Sequence, residues 1–272
     1  MYHLTGVTKY YRNGRDRDVV RALDGVGLYV EEGGGLVVRG PAGSGTSTLL
    51  RVLGGLERPS GGTVVLNGTD LATVTECRLS RIRAESIGMV HGGGRPGRAG
   101  LPGYAALWPG LTAQQNVASV LVPLRLRPAD CRELAATALA DVGLGHRLER
   151  LPGELDAGER RRVALARALV KRPAVLLADR PTAGLTAAAR AEIIELFERL
   201  WGERRLSCVV ATEDEALVRR APRLATLSAG RITSVVRQVR RERPFGTPTA
   251  AAGPWPDRRP ATPGATRRRQ PR

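Results

Sequence analysis

Lysine, histidine, cysteine and long apolar runs are scarce in this sequence of 272 residues, and each shortage excludes a class of protein. The three cysteines are scattered, which excludes a disulfide framework and a cysteine metal site. The three histidines are equally dispersed, which excludes a histidine metal cluster. No apolar run approaches the roughly 18 residues that a membrane-spanning helix needs. The N-terminal residues lack the apolar core of a secretory signal, so we expect a cytoplasmic protein. The scattered residues are Cys77, Cys131, Cys208, His3, His91 and His146.

Almost all of the positive charge comes from arginine. Lys9 and Lys171 are the only lysines among 43 basic side chains, and the formal net charge at pH 7 is +17. One interpretation is a GC-rich genome that encodes arginine where others encode lysine. The other is an anionic partner, either nucleic acid or lipid. Residues 237–272 carry ten of the arginines against two acidic residues, Glu242 and Asp257.

Strands and helices alternate along the chain, which predicts an α/β fold with a mixed central sheet. The strands at 174–179 and 206–212 are apolar throughout, which is typical of a buried parallel sheet. Glycine and proline predict a loop over 91–110, and composition predicts a disordered tail over 235–272 after a domain over 1–234. The other predicted strands cover 34–40, 63–68 and 86–90, and the predicted helices cover 46–56, 76–84, 127–144, 159–172 and 188–201.

A glycine-rich segment over residues 40–48 follows a predicted strand and opens a predicted helix, the context of a phosphate-binding loop. Its glycines let successive backbone N–H groups turn inward and form an anion-binding nest at a helix N-terminus. Ser47 is placed to give its hydroxyl to Mg²⁺, whereas Thr46 stands where the motif has its phosphate-binding lysine. The segment consists of Gly40, Pro41, Ala42, Gly43, Ser44, Gly45, Thr46, Ser47 and Thr48.

Residues 2–232 resemble the ATP-binding subunit of ABC transporters, the nucleotide-binding domain, of the lipoprotein-release and macrolide-export type. The resemblance implies a P-loop NTPase fold of ABC type with a helical subdomain over about 91–165. It also implies ATP and Mg²⁺ as cofactors, a homo- or heterodimer, and a separate membrane permease as partner. Tyr11 stands where the family stacks an aromatic ring on adenine. The segments that carry the resemblance to the family are VTKYYRNG (7–14) with ALDGVGLYVEEGG (22–34), LLRVLGGLERPSGGTVVLNGTDLATVT (49–75), LTAQQNV (111–117), RRVALARALVKRPAVLLAD (161–179) and PTAGL (181–185).

Several positions that carry catalysis in this family hold other residues here. The glutamine that reaches Mg²⁺ and the permease corresponds to Gly92, the D-loop aspartate to Thr186 and the switch histidine to Glu213. The catalytic glutamate corresponds to Arg180, which cannot take a proton from water near pH 7. Loss of such a base costs about 10²–10⁴ in rate. Loss of the phosphate-binding lysine removes a contact worth roughly 1.5–3 kcal/mol.

The family signature LSGGQ is also altered, and its new residues indicate a helix that caps itself. It corresponds to Leu155, Asp156, Ala157, Gly158 and Glu159, in which Asp156 and Glu159 have the spacing of a capping box. Two carboxylates at that terminus would satisfy the free N–H groups of the helix and would repel a phosphate.

Arg180 and Glu213 leave three interpretations open. They form a salt bridge across an empty pocket, or Arg180 replaces the charge lost at Thr46 and helps to hold phosphate, or the two positions have drifted independently. Asp179 and Ser47 remain as candidate Mg²⁺ contacts.

The leading interpretation is an ATP-binding subunit of an ABC transporter that powers or regulates a separate permease, with weak ATP binding and impaired hydrolysis. It would lie in the cytoplasm, peripheral on the inner face of the cell membrane. Hydrolysis should be poor even in a heterodimer, because this chain alters both halves that it contributes. The alternative is a non-catalytic scaffold, or an arginine-rich binder of nucleic acid or anionic lipid whose affinity falls steeply with salt. A decaying paralogue fits the same altered site.

Overall fold

The structure is a computed structural model that describes residues 1–12, 19–91, 107–202 and 206–238. The strands are β1 (Tyr2–Arg12), β2 (Val19–Val30), β3 (Gly35–Arg39), β4 (Gly61–Leu66), β5 (Thr69–Asp70), β6 (Ile87–His91), β7 (Val175–Asp179), β8 (Ser207–Ala211), β9 (Arg223–Ser228) and β10 (Arg231–Arg237). The α-helices are α1 (Thr46–Leu53), α2 (Glu76–Ser86), α3 (Ala113–Ala118), α4 (Pro128–Asp141), α5 (Ala157–Leu169), α6 (Ala187–Gly202) and α7 (Glu215–Val218).

The strands form two sheets. A six-stranded sheet has the order β10-β9-β3-β8-β7-β6, in which β10 is antiparallel to β9 and the other pairs are parallel. This sheet confirms the predicted mixed sheet. A second, antiparallel sheet has the order β2-β1-β4-β5. All residues of β8 and the first four of β7 are buried, as their unbroken apolar sequences predict.

Helix α1 is held in the core shared by the two sheets. Leu49 and Leu53 of this helix are fully buried in one cluster with Tyr2 of β1 and Val209 of β8. The hydroxyl of Tyr2 donates to the backbone oxygen of Leu53 at 2.7 Å. Burial of the apolar face therefore fixes the position of α1 and of the glycine-rich loop that precedes it.

Most helix ends differ from the sequence prediction by one to three residues, and two of the differences have clear local reasons. Helix α4 ends at Asp141 rather than at 144, because Gly143 adopts a left-handed φ of +76° that stops the helix two residues before Gly145. Helix α5 begins at Ala157 rather than at 159, because Asp156 is its N-cap.

The predicted boundary of the tail at residue 235 is corrected by strand β10. Val235 and Val236 pair with Ala225 and Leu224 of β9, so the last strand continues three residues into the predicted tail. The arginine-rich composition misled the prediction, because charged residues are common on an exposed edge strand. The rest of the predicted tail and most of the predicted loop 91–110 lie outside the described residues.

Candidate functional site

The carboxyl ends of four parallel strands meet at one edge of the six-stranded sheet. The register aligns Val38 of β3 with Ala211 of β8. It also aligns Asp179 of β7 with Ala211 and with His91 of β6. The loop 40–45 and the segments after β7 and β8 therefore start side by side. Ligands of open α/β sheets bind at this kind of edge, so it is the candidate site.

The glycine-rich loop has the backbone shape of a phosphate-binding nest. Gly43 has a φ of +83° and Gly45 a φ of +101°, a region that favours glycine. A Cβ at Gly45 would also overlap the backbone oxygen of Ala22, and a Cβ at Gly40 would overlap that of Leu227. Gly45 is therefore required both by its conformation and by the close approach of β2, Gly43 by its conformation, and Gly40 by the close approach of β9.

Helix α1 starts from this loop without a side-chain cap. Gly45 occupies its N-cap position, and its first turn contains no acidic residue. The N–H groups of that turn present a partial positive charge to the loop. Ser44 is 3% exposed, and its Oγ has no hydrogen-bond partner among the described residues. A buried hydroxyl without a partner beside an uncapped helix terminus fits an anionic ligand.

Asp179 ends β7 beside Ser47 of α1 and His91 of β6. Its side chain is 12% exposed, and its Oδ2 lies 3.6 Å from Nδ1 of His91. Burial raises the pKa of Asp179, but hydrogen bonds from His91 and Ser47 and the charges of His91 and Arg180 bring that pKa below its ordinary value. Oδ1 of Asp179 is buried without a partner in the described part of the chain. Asp179 and Ser47 thus offer the oxygen donors that Mg²⁺ prefers.

Tyr11 lies against the same helix. Its hydroxyl donates to the carboxylate of Glu57 and lies 3.4 Å from Oγ1 of Thr48. Burial, followed by the hydrogen bond to Glu57, raises the pKa of the Tyr11 hydroxyl. The ammonium of Lys9 lies 5.3 Å from the centre of the ring. These contacts hold the ring of Tyr11 beside α1, the helix that follows the glycine-rich loop.

Arg180 and Glu213 form the ion pair that one of the sequence hypotheses describes. Nη2 of Arg180 lies 3.3 Å from Oε1 of Glu213, with the two side chains 42% and 54% exposed. Arg180 has a φ of +49°, and its N–H donates to the backbone oxygen of Ala211 at 2.7 Å. The turn after β7 is therefore bonded to the end of β8. An exposed pair of this kind contributes at most about 1 kcal/mol to stability.

Helix α5 is capped by its own side chains, as the signature-equivalent residues predict. Oδ1 of Asp156 accepts a hydrogen bond from the N–H of Glu159 at 2.7 Å, and Oε2 of Glu159 accepts one from the N–H of Asp156 at 3.0 Å. Nε of Arg147 donates to Oε1 of Glu159 at 3.0 Å. Side chains of α5 therefore accept from N–H groups at its own N-terminus, whereas the N–H groups at the N-terminus of α1 have no side-chain acceptor and face the glycine-rich loop.

The other signature-equivalent residues serve packing. Leu155 is 3% exposed and Gly158 is buried, whereas Ala157 is exposed. A Cβ at Gly158 would lie 2.6 Å from Cβ of Ala189, so this glycine permits the close contact of α5 with α6. Thr186 precedes α6, and its Oγ1 accepts a hydrogen bond from the N–H of Ala189 at 3.4 Å.

Arg161 of α5 holds the turn after β7, a role that sequence analysis missed. Its Nη1 donates to the backbone oxygens of Arg180 at 3.2 Å and Pro181 at 2.5 Å. Its Nη2 lies 3.5 Å from the backbone oxygen of Ala183. Burial lowers the pKa of the Arg161 guanidinium. In the sequence this residue is the middle of three arginines, a pattern that does not distinguish a buried clamp from a solvated face.

Two more ion pairs at this edge were missed because their partners are far apart in sequence. Nε of Arg190 donates to Oδ2 of Asp214 at 2.7 Å, and Asp214 also caps α7. Nη2 of Arg39, the last residue of β3, lies 2.6 Å from Oε1 of Glu215. Arginines thus reach the site edge from strand β3 and from helix α6.

Replacing Arg161 with methionine should lower the free energy of unfolding by about 2–3 kcal/mol, because the carbonyl oxygens of the turn lose a charged donor. Chemical denaturation measures this change. Arg132, exposed on α4, provides the control, and its replacement by methionine should change stability by less than about 0.5 kcal/mol. Equal stability losses in the two variants would contradict the clamp.

A family model described as "ABC transporter" matches residues 23–183, which is more than half of the chain. The chain belongs to the ABC transporter family. The lipoprotein-releasing system ATP-binding protein LolD of Geobacter metallireducens is 37% identical over 228 residues, covering 84% of this chain and 96% of that relative. The macrolide export ATP-binding/permease protein MacB of Rhodopirellula baltica is 36% identical over 240 residues, covering 88% of this chain and 33% of that relative.

Solved structures share the ABC transporter fold with this chain. A dimeric structure of a post-hydrolysis state of the ATP-binding cassette MJ0796, bound to ADP and Pi, has a TM-score of 0.76 and 30% identity, covering 87% of this chain and 98% of that one. A second dimeric structure of that bacterial ABC transporter cassette matches with the same values. The family and fold expected from the sequence are confirmed. Within the described residues, no helix is long and apolar enough to cross a membrane.

Three of the altered ABC family positions lie at one edge of the sheet. Thr46 begins α1, Arg180 follows the retained Asp179 at the end of β7, and Glu213 follows β8 by two residues. Thr186 lies before α6 and the altered signature at the start of α5, whereas Gly92 lies outside the described residues. The structure therefore brings the retained Mg²⁺-type donors and the substituted catalytic positions to the same edge.

Proposed function

We propose that this chain is the ATP-binding subunit of an ABC transporter that powers or regulates a separate membrane permease, with weak ATP binding and impaired hydrolysis. The observation that carries the proposal is the glycine-rich loop over residues 40–45, named the phosphate loop from here on. The loop leads into the uncapped N-terminus of α1. Two buried polar atoms at the site, Ser44 Oγ and Asp179 Oδ1, lack partners in the described structure. A loop with no ligand would leave these atoms unsatisfied at a cost of about 1–3 kcal/mol each.

The residues present fit a nucleotide with its metal ion. The backbone N–H groups of residues 43–48 would hold the phosphates, and the hydroxyl of Ser47 with the carboxylate of Asp179 would hold Mg²⁺. Tyr11 would take the adenine ring. When bound, Mg²⁺ supplies positive charge that screens the phosphates.

Impaired hydrolysis is supported by the two substituted positions at the mouth of the loop. A guanidinium cannot act as a general base, so Arg180 cannot activate a water molecule as a glutamate does. Its guanidinium also pairs with Glu213, which replaces the switch histidine of the family. Loss of a general base alone reduces the rate by about 10²–10⁴.

The names of the relatives support a membrane permease as partner. LolD is named as an ATP-binding protein of a lipoprotein-releasing system, and MacB as an ATP-binding/permease protein. This chain covers 33% of that MacB relative and 96% of the LolD relative. The dimeric cassette structures support a dimer, and a permease partner would place the chain at the cytoplasmic face of the membrane.

Calorimetry with ATP, with and without Mg²⁺, tests the nucleotide site. We expect Mg²⁺-dependent binding to the wild type and loss of that dependence in Asp179→Ala, because the variant removes a metal donor. Asp130→Ala, which removes a half-exposed carboxylate of α4 that pairs with Arg127, is the control and should bind like the wild type. Binding that is absent at millimolar ATP in the wild type would contradict the proposal.

A further inference from the structure

We infer that the phosphate loop of this chain favours a nucleoside diphosphate over a nucleoside triphosphate. This inference rests on the proposed nucleotide site and adds the ligand class that the site prefers. It follows from a difference between the two halves of the site. The donors that a diphosphate needs are in place, whereas the lysine that reaches a third phosphate is missing and a carboxylate follows the neighbouring strand.

The diphosphate half of the site depends on backbone groups that the substitutions leave intact. In a phosphate-binding loop the backbone N–H groups cradle the α- and β-phosphates, and the Ser or Thr after the lysine position binds Mg²⁺. Here Gly43 and Gly45 have the required left-handed backbone, and the α1 terminus has no side-chain cap. Ser44 adds a hydroxyl that is 97% buried and has no partner in the described structure. Ser47 supplies the hydroxyl for the metal.

The terminal phosphate of a triphosphate loses its usual cation. The lysine of this loop reaches the β- and γ-phosphates. Its replacement, Thr46, is a short neutral side chain that is 6% exposed. A charge-assisted hydrogen bond to a phosphate is therefore missing, and the phosphate that depends most on it is the terminal one.

A carboxylate follows the strand next to the phosphate loop. Glu213 lies two residues beyond Ala211, which pairs with Val38 of β3 on one side and with Asp179 on the other. Glu213 thus follows β8, which lies between β3, the strand before the phosphate loop, and β7, the strand that ends at Asp179. The side chain of Glu213 is 54% exposed, so its negative charge lies in solvent at the same sheet edge as the phosphate loop.

Two arginines at this edge, Arg180 and Arg39, do not restore the missing positive charge. Arg180 pairs with Glu213 at 3.3 Å, and Arg39 pairs with Glu215 at 2.6 Å. Each pair has no net charge, so neither offsets the additional negative charge that ATP carries relative to ADP. Removing the charge of Glu213 would leave Arg180 available to the terminal phosphate.

The inference is tested by measuring the dissociation constants of ADP and ATP, each with Mg²⁺, by calorimetry. The wild type should bind ADP about tenfold more tightly than ATP, the loss expected for one missing charge-assisted contact. Glu213→Gln should tighten ATP about tenfold and leave ADP within about twofold. Glu198→Gln is the matched control, because Glu198 also pairs with an arginine, Arg220 at 3.0 Å, but on helix α6. It should leave the ratio of the two constants unchanged.

Each contrary outcome has a distinct meaning. Wild-type protein that binds ATP as tightly as ADP overturns the inference and leaves the proposed nucleotide site standing. An unchanged ratio in Glu213→Gln also overturns it, because the carboxylate would then play no part in selection. Failure to bind either nucleotide at millimolar concentration overturns the proposed function itself. The wild-type ratio needs no variant, so the test holds even where a variant fails to fold.

Discussion

Gly45→Ala should lower the free energy of unfolding by about 3 kcal/mol or more, whereas Gly43→Ala should lower it by only about 1–2 kcal/mol. Both glycines have positive φ, so alanine is strained at either position. Only the Cβ at position 45 meets another atom, the backbone oxygen of Ala22 in β2, and space around position 43 is open. The pair of variants therefore separates backbone strain from steric overlap.

Chemical denaturation of the two variants, measured side by side, separates the cost of backbone strain from the cost of steric overlap. Equal losses in Gly45→Ala and Gly43→Ala would show that the loop moves away from β2 at little cost. That result would contradict the account of a loop whose position is fixed by its contact with β2 and by the buried face of α1.

Restoring the lysine of the phosphate loop should have the largest effect on binding. Thr46→Lys should tighten Mg²⁺-dependent ATP binding by about tenfold to a hundredfold, the worth of one hydrogen bond from a charged group to phosphate. Thr46→Met is the control, because it adds comparable bulk at the same buried position without charge. Calorimetry with the three proteins gives the comparison.

An affinity for ATP that Thr46→Lys and Thr46→Met change equally would contradict the account. The position would then act through packing, and the weakness of the site would have another cause. A rise confined to the lysine variant identifies the missing cation as that cause.

Features encoded by short segments could be predicted from the sequence. The glycine-rich sequence over 40–48 predicts an anion-binding nest, and Gly43 and Gly45 have the left-handed backbone that such a nest uses. The spacing of Asp156 and Glu159 predicted the reciprocal cap of α5, which forms with both hydrogen bonds. Such features depend on residues a few positions apart, so tertiary structure changes them little.

Contacts between distant segments could not be predicted in the same way. The Arg161 clamp joins α5 to a turn about twenty residues later, and Arg39 pairs with Glu215 across the edge of the sheet. In a sequence where nearly every basic residue is arginine, composition gives no means of telling a clamp from a solvated side chain. The Arg180–Glu213 contact was one of three open interpretations, because only strand order brings β7 and β8 together.

The rate of phosphate release from Mg²⁺-ATP at saturation tests the central claim, a nucleotide site that has lost its catalytic base. The measurement compares the wild type with Asp179→Ala, each alone and mixed with an ABC ATP-binding subunit that retains its catalytic glutamate. We expect rates for this chain that are far below the usual enzymatic range of about 1–10³ s⁻¹ and that the substitution leaves unchanged. Turnover within that range that disappears when only Asp179 of this chain is replaced would contradict it.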